Sequence, residues 1–341
     1  MITHKKTGLT MGVALALAAL ASTAWETDKE LRTLFNNSPA AFNATLTNYA
    51  QGASVDLSQS STAAFVAPWT VTGRANGQYK RYDDASAFAI YDTARPIGGK
   101  RKRITFAADD PYYNCRPNGL EIPTDDFEVE QAGVQGDKFP LIQAKIRMLI
   151  SAAYRSREKA VWDKVKAGKA ATGGLGVWSN AAVSPIVQMN AEIKAITDET
   201  GIMPNRGVIS LGAWAVITDH ALVIARRAGV SAESVGLSDF AKMLLNPAME
   251  LRVGIIPYNT AGKGATKANA NVMGSEVFVF IGQDSPDAID PSFAKSFSTY
   301  GRGVDQVKTY REGDLLDIAA VDWSEDVIVT APLSGRRITL S

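Results

Sequence analysis

The sequence predicts an α+β fold, and three observations carry that reading. Aromatic and β-branched residues gather in two stretches, 65–123 and 306–340, where strands are expected. One long helix is expected from 139 to 168, because no glycine and, after Pro140, no proline interrupts residues 139–167. Between that helix and the last strands, residues 172–300 alternate helical and strand patterns, as a compact α/β unit does. A chain of 341 residues suits about two domains. Its 46% apolar and 21% charged residues are an ordinary globular balance, which excludes disorder and a polytopic membrane protein for most of the length.

The N-terminus sets Lys5-Lys6 ahead of an uncharged stretch from Thr7 to Trp25 that closes in Ala21-Ser22-Thr23-Ala24. A basic start, an apolar run and a small-residue exit are the marks of a secretory signal peptide. Leu9, Val13, Leu17 and Leu20 also fall at steps of four, four and three, one stripe of an amphipathic helix. The first reading implies an exported binding protein; the second implies a helix buried against another surface. Residues 26–62 are polar, with no charge between Arg32 and Asp56 and few apolar anchors. They are expected to form an extended arm, unable to bury a core by itself.

Tyr79 to Tyr91 and Ile104 to Phe106 read as strands. Between them Pro96-Ile97-Gly98-Gly99 supplies a turn, followed by Lys100-Arg101-Lys102-Arg103, so a long hairpin with a basic tip is expected. Such a tip is either solvated or meets an acidic surface on another subunit. Nucleic acid is disfavoured, since no aromatic residues interleave with the charges. Lys100, Arg101, Lys102 and Arg103 are the candidate inter-subunit contacts.

In the long helix, Leu141, Ile142, Ile146, Leu149, Ile150, Ala153, Val161, Trp162 and Val165 mark an apolar stripe. Arg147, Arg155, Arg157, Glu158, Lys159, Asp163 and Lys164 are expected on the remaining surface. Downstream, Ser184-Pro185 opens a helix carrying Ile186, Met189, Ile193 and Ile196. A buried strand is expected at 207–211, a second helix at 212–228 containing His220, and a short helix at 239–245. Strands at 250–258 and 276–281 flank a loop, 261–275. The last strands are expected at 308–310, 315–321, 326–330 and 337–340.

The chemistry-bearing residues are few. One cysteine, Cys115, excludes an intramolecular disulfide framework and a Cys-rich zinc site. Two histidines, His4 and His220, leave most His-based mechanisms without their parts. Gly262-Lys263-Gly264-Ala265-Thr266-Lys267, Gly173-Gly174-Leu175-Gly176 and Gly301-Arg302-Gly303 each lack the spacing of a phosphate-binding loop and read as flexible loops. Asp284, Asp287 and Asp290 can be drawn as a metal cluster, but Pro286 and Pro291 fit a surface turn better. No catalytic, cofactor-binding or metal residue is assigned, and an enzyme is not expected. A net charge of +1 gives no excess to favour nucleic acid.

Three stretches carry a resemblance to a known family. The first is Tyr112-Tyr113-Asn114-Cys115-Arg116-Pro117-Asn118-Gly119-Leu120-Glu121-Ile122-Pro123, leading into an acidic turn and a long helix with Arg157-Glu158-Lys159-Ala160. The second runs from Trp178-Ser179 through Ile193 and Ile196 to Gly201-Ile202-Met203-Pro204-Asn205-Arg206-Gly207-Val208-Ile209-Ser210. The third is the strand-rich end from Tyr310 to Val329. In the order and spacing of these parts the chain resembles the major capsid proteins of tailed bacteriophages, the Hong Kong 97-type fold shared with encapsulins.

The resemblance implies an N-terminal arm at 1–62, an extended loop with flanking strands at 63–124, and an axial domain at 172–300. It implies a peripheral domain from 125–171 and 301–341, with a spine helix at 139–168. It implies a non-enzymatic protein without cofactors that assembles as hexamers and pentamers into an icosahedral shell around double-stranded DNA, without sequence-specific contact. Scaffold, portal and cement proteins would be partners, no membrane would be, and the product would be a virion assembled in the host cytoplasm. Near-zero net charge suits copies packed in contact. Lys80, Lys100 and Lys102 lie in the loop, but nothing in the sequence fixes a cross-linking partner, so that chemistry is not carried over. The family implies no secretory signal, so 7–24 is read as an arm helix. An exported binding protein and an encapsulin-like compartment are the alternatives.

Overall fold

The computed structural model describes residues 41–42, 44–82, 90–95, 97–104, 108–131, 139–172, 177–227, 235–262, 264–284, 286–287, 290–299, 304, 306–313 and 315–340. The segment 7–24, the Gly173-Gly174 linker and Gly301-Arg302-Gly303 lie outside them. The chain forms two compact units. One comprises the described residues up to 55 with 119–153 and 303–322; the other comprises 56–118, 154–302 and 323–341.

The larger unit is built on a five-stranded mixed sheet in the order Glu250–Gly254, Arg206–Ser210, Glu276–Phe280, Gly335–Thr339, Ala171–Thr172. Strand Arg206–Ser210 is buried along its whole length, as expected of a strand covered on both faces. Period-two alternation sorts the side chains. Val277 and Val279 join one core with Ile209, Met189, Ile193 and Ile217. Phe278 and Phe280 join another with Val208, Val161, Trp162, Val165 and Phe293. Helix Pro185–Thr200 covers the first face, with Ser184 at its N-cap and Gly201 in the left-handed conformation (φ 68°) closing its C-terminus. The sequence places the final strand with 306–330; it pairs instead with Glu276–Phe280 and Ala171–Thr172, where Ile338 is fully buried.

Other differences have local causes. The helix expected at 212–228 is two helices, Leu211–Asp219 and Ala221–Arg227, broken at His220. The expected strand 250–258 stops at Gly254 and resumes as Pro257–Asn259, which pairs with Asn269–Asn271 inside the presumed loop. Strand Ala294–Ser298, fully buried, is not foreseen, because Lys295, Ser296 and Ser298 interrupt its apolar pattern.

In the smaller unit, strand Val307–Glu312 forms a hairpin with the first part of strand Leu316–Val329 through Gly313 (φ 63°), and pairs on its other side with Ala41–Phe42. Residues 44–60, expected to be extended, form a helix. Leu46, Thr47, Ala50 and Ser54 are its buried face, a helical stripe made of residues too small or polar to register as one. Thr47 Oγ1 accepts from the Val307 N–H at 3.1 Å, so this helix is tied to the sheet by a polar contact.

Helix Phe139–Gly168 at 1.5 Å per residue is about 45 Å long. Ile142, Ile146, Leu149, Ile150, Ala153, Val161, Trp162 and Val165 are buried, as their spacing predicts. Arg157 and Glu158, expected outside, are also buried, at 3% and 2% exposure. Both fall on the inner stripe, where polar partners engage the Glu158 carboxylate and the Arg157 Nε while Arg157 Nη2 is left without an acceptor. The Glu158 carboxylate accepts from the Ser61 hydroxyl (2.6 Å), the Thr62 and Ala63 N–H groups (3.0 and 2.9 Å), the Thr62 hydroxyl and the Trp162 Nε1–H (3.1 Å). Arg157 Nε donates to Glu325 at 3.0 Å, and its guanidinium lies over Trp69. Among the described residues no helix is long and apolar enough to cross a membrane.

Glu158→Ala leaves several buried donors without an acceptor and is expected to lower stability by about 3 kcal/mol or more in urea unfolding, whereas Lys159→Gln, at a half-exposed position, changes it by about 0.5 kcal/mol. Equal effects would refute the assignment. In the smaller unit, Tyr310 donates its hydroxyl proton to Glu121 at 2.7 Å, and that bond pushes the phenol up to about 12. The folded chain therefore holds a proton that the unfolded chain releases above pH 10, so this contribution is complete below about pH 10 and lost as pH rises towards 12. Ultraviolet titration against Tyr310→Phe should show the high midpoint, and Glu121→Gln should bring it back towards 10; a wild-type midpoint near 10 refutes the bond.

Candidate functional site

A hairpin is present, but its paired residues are largely not the ones expected. Asn76–Gln78 pairs antiparallel with Tyr112–Asn114, and Arg81–Tyr82 with Ala108–Asp109. These pairs lie nearer the hairpin's base than the sequence suggests, and residues 83–89 and 105–107 lie outside the described residues. Aromatic stacking and hydrogen bonds fasten the base. Tyr79 and Tyr113 both stack on Phe297, at 5.4 and 4.8 Å between ring centres. Cys115 Sγ donates to the Phe297 carbonyl, and the Asn114 N–H donates to Asp326 at 2.8 Å. Arg81 pairs with Asp109 across the strands at 3.1 Å.

The distal part has a different character. Lys100, Arg101, Lys102 and Arg103 are all exposed. Lys102 pairs with Asp92, and this bond, with the Ala94 N–H, holds the Asp92 carboxyl below the usual carboxylate range. Arg95 donates to the Gly99 carbonyl at 3.0 Å, closing the turn. Among the described residues, Lys102 alone of the four forms an ion pair. Ile90 and Ile97 on the same segment are fully exposed, with Ile104 and Tyr91 partly so. Sequence reasoning found the charges and missed these isoleucines; hydrophobic residues flanking a polar turn were the available signal.

The other residues singled out in the sequence serve structure. His220 Nδ1 accepts from the Leu222 N–H at 3.2 Å, which caps helix Ala221–Arg227 and explains the break before it. Asp284 pairs with buried Arg206. Lys295, with no exposed surface, lies 3.4 Å from Asp290 and donates to the backbone carbonyls of Asp287 and Asp290. Burial pushes its ammonium below the usual lysine value. The three aspartates are thus organised around protein cations. Gly262 and Gly264 border a turn, and Lys263 lies outside the described residues.

No family model matches the sequence, and no curated protein does. Solved structures do match. The chain is similar to a phage-related protein from Bordetella bronchiseptica RB50, with TM-score 0.68 and 19% identity over 89% of this chain and 98% of that one. It is similar to the capsid of Myoviridae phage XM1, with TM-score 0.50 and 10% identity over 89% and 94% of the two chains. It is similar to the capsid of cyanophage P-SCSP1u, with TM-score 0.50 and 10% identity over 80% and 86%. The chain has the phage capsid-protein fold.

At these identities the likeness is one of fold, and the roles of individual residues rest on this chain's own geometry. The capsid fold here has a hairpin whose base is fastened by aromatic stacking and whose tip has no apolar cover. Serine at Lys100, Arg101 and Arg103 together is therefore expected to shift stability by no more than about 0.5 kcal/mol in thermal melting. Lys102→Ser should let the Asp92 carboxyl rise towards its ordinary value in an NMR titration. A large loss of stability from the triple variant would show that the tip is a folded-state contact.

Proposed function

We propose that this chain is the major capsid protein of a tailed phage, a non-enzymatic subunit whose copies close as hexamers and pentamers into an icosahedral shell around double-stranded DNA. The observation that carries this reading is the capsid fold, matched over nearly the full length of the phage-related protein. In this reading residues 1–62 are the arm and 63–124 the extended loop; 172–300, joined in one sheet by strands Ala171–Thr172 and Gly335–Thr339, are the axial domain, and the rest of 125–171 and 301–341 the peripheral domain around the spine helix. The exposed cations and isoleucines of the hairpin support it, since they await an acidic, partly apolar neighbour. Scaffold, portal and cement proteins are the expected partners, and the virion, assembled in the host cytoplasm, the expected location.

Negative-stain microscopy of the purified chain tests the proposal: closed shells of uniform size are expected, and a monodisperse monomer overturns it. Nucleic acid in shells from infected cells separates a virion from an encapsulin-like compartment. Within shells, replacing Lys100, Arg101, Lys102 and Arg103 by serine should weaken assembly, and raised salt should weaken wild-type assembly in the same way. Assembly indifferent to both returns the tip to solvent.

A further inference from the structure

A concavity of 420 Å³ in the larger unit is lined by one buried cation and two exposed ones. The buried cation is Arg157, at 3% exposure. Its position is fixed from two sides, by Trp69 at 4.0 Å from its guanidinium carbon and by Glu325 at 3.0 Å from Nε. Nη2 of the same guanidinium is buried and has no hydrogen-bond acceptor. A buried charged donor without an acceptor is rare, because desolvation is not offset.

The carboxylates in the lining do not supply that acceptor. Glu325 accepts from Arg157 Nε through one oxygen and from Trp323 Nε1 through the other. Asp326 accepts from the Asn114 N–H. Arg116 and Lys164, exposed at the rim, form no ion pair among the described residues. Three cations and two carboxylates thus line one space, and each carboxylate already accepts from a neighbouring donor.

We propose that this concavity binds a small oxyanion, with inorganic phosphate as its representative. Planar guanidinium groups and an ammonium match the acceptor oxygens of such an ion. The ion's oxygens take the charge-assisted bonds of Arg116 and Lys164, whose exposed side chains fold inward over it; a shift of the lining that opens the buried Arg157 Nη2 lets the ion supply the acceptor that group lacks. None of the lining residues belongs to the hairpin tip.

The test uses the full chain, titrated with sodium phosphate while sodium chloride holds the ionic strength constant. Saturable binding by calorimetry is expected, with a rise in melting temperature and a change in tryptophan fluorescence, since Trp69 lies against the guanidinium and Trp323 lines the concavity. Arg116→Gln with Lys164→Gln should weaken binding at least tenfold without unfolding the chain, as both side chains are exposed. Lys194→Gln with Lys242→Gln, which removes the same two charges at exposed positions outside the concavity, should leave binding unchanged. Absence of saturable binding, the same response to chloride alone, or full affinity in the double variant overturns the proposal.

Discussion

The carboxylate of Glu158 does what no apolar contact in its neighbourhood does: it fixes a direction. Trp162 and Val165 pack on Phe278 and its neighbours through contacts that tolerate sliding, as apolar surfaces do. Glu158 instead accepts from the N–H groups of Thr62 and Ala63, at the start of helix Ala63–Val66, and from hydroxyls on either side. Those donors would otherwise be buried without partners. One side chain therefore sets where the chain leaves helix Ala44–Ser60 and how Phe65 and Val66 enter the core. Strand Trp69–Val71 begins just after helix Ala63–Val66 and pairs in parallel with Ala294–Ser298, and Trp69 then carries Arg157 on its ring. Adjacent positions on one helix thus anchor two successive elements.

That arrangement marks the limit of what the sequence shows. Helix Phe139–Gly168 was legible because its apolar residues recur with a helical period on both sides of Arg157 and Glu158 and no glycine interrupts it before Gly168. The strands Arg206–Ser210 and Glu276–Phe280 were legible as short apolar runs between turn residues. Arg157 and Glu158 were not legible as buried, since charge on a helix ordinarily marks the solvated face, and their partners at 61–69 and 325 are distant in sequence. Helix Ala44–Ser60 was hidden for the opposite reason: its inner face is Leu46, Thr47, Ala50 and Ser54, which has little hydrophobic contrast with the outer face. The expected break between strands 315–321 and 326–330 does not occur. Asp322, Ser324 and Asp326 take the more open face of one continuous strand, Leu316–Val329, so polar residues there mark alternation and not a turn.

The hairpin shows the same division between legible charge and illegible partner. Its basic run stands out in sequence, yet the run's structural setting depends on Tyr79, Tyr113 and Phe297, whose stacking joins residues far apart in the chain. Lys102 and Asp92 neutralise one another, so the net character of the tip is set by Arg101, Arg103 and Lys100 together with Ile90 and Ile97. Burial at the base and exposure at the tip are two ends of one element.

In the proposed shell, that contrast has an energetic use. Exposed ion pairs contribute about 0–1 kcal/mol each, so a tip that relied on charge alone would hold a neighbour weakly and reversibly. Uncovered isoleucines add apolar burial only when the fit is close, which rewards correct placement over mere proximity. A base already ordered by aromatic stacking reduces the entropy lost when the tip docks. Contacts of this strength repeated over many copies close a stable shell, while each one separately remains weak enough to break and re-form during assembly. Rigidity at Phe297 and weakness at Lys100–Arg103 are therefore complementary requirements of the same hairpin.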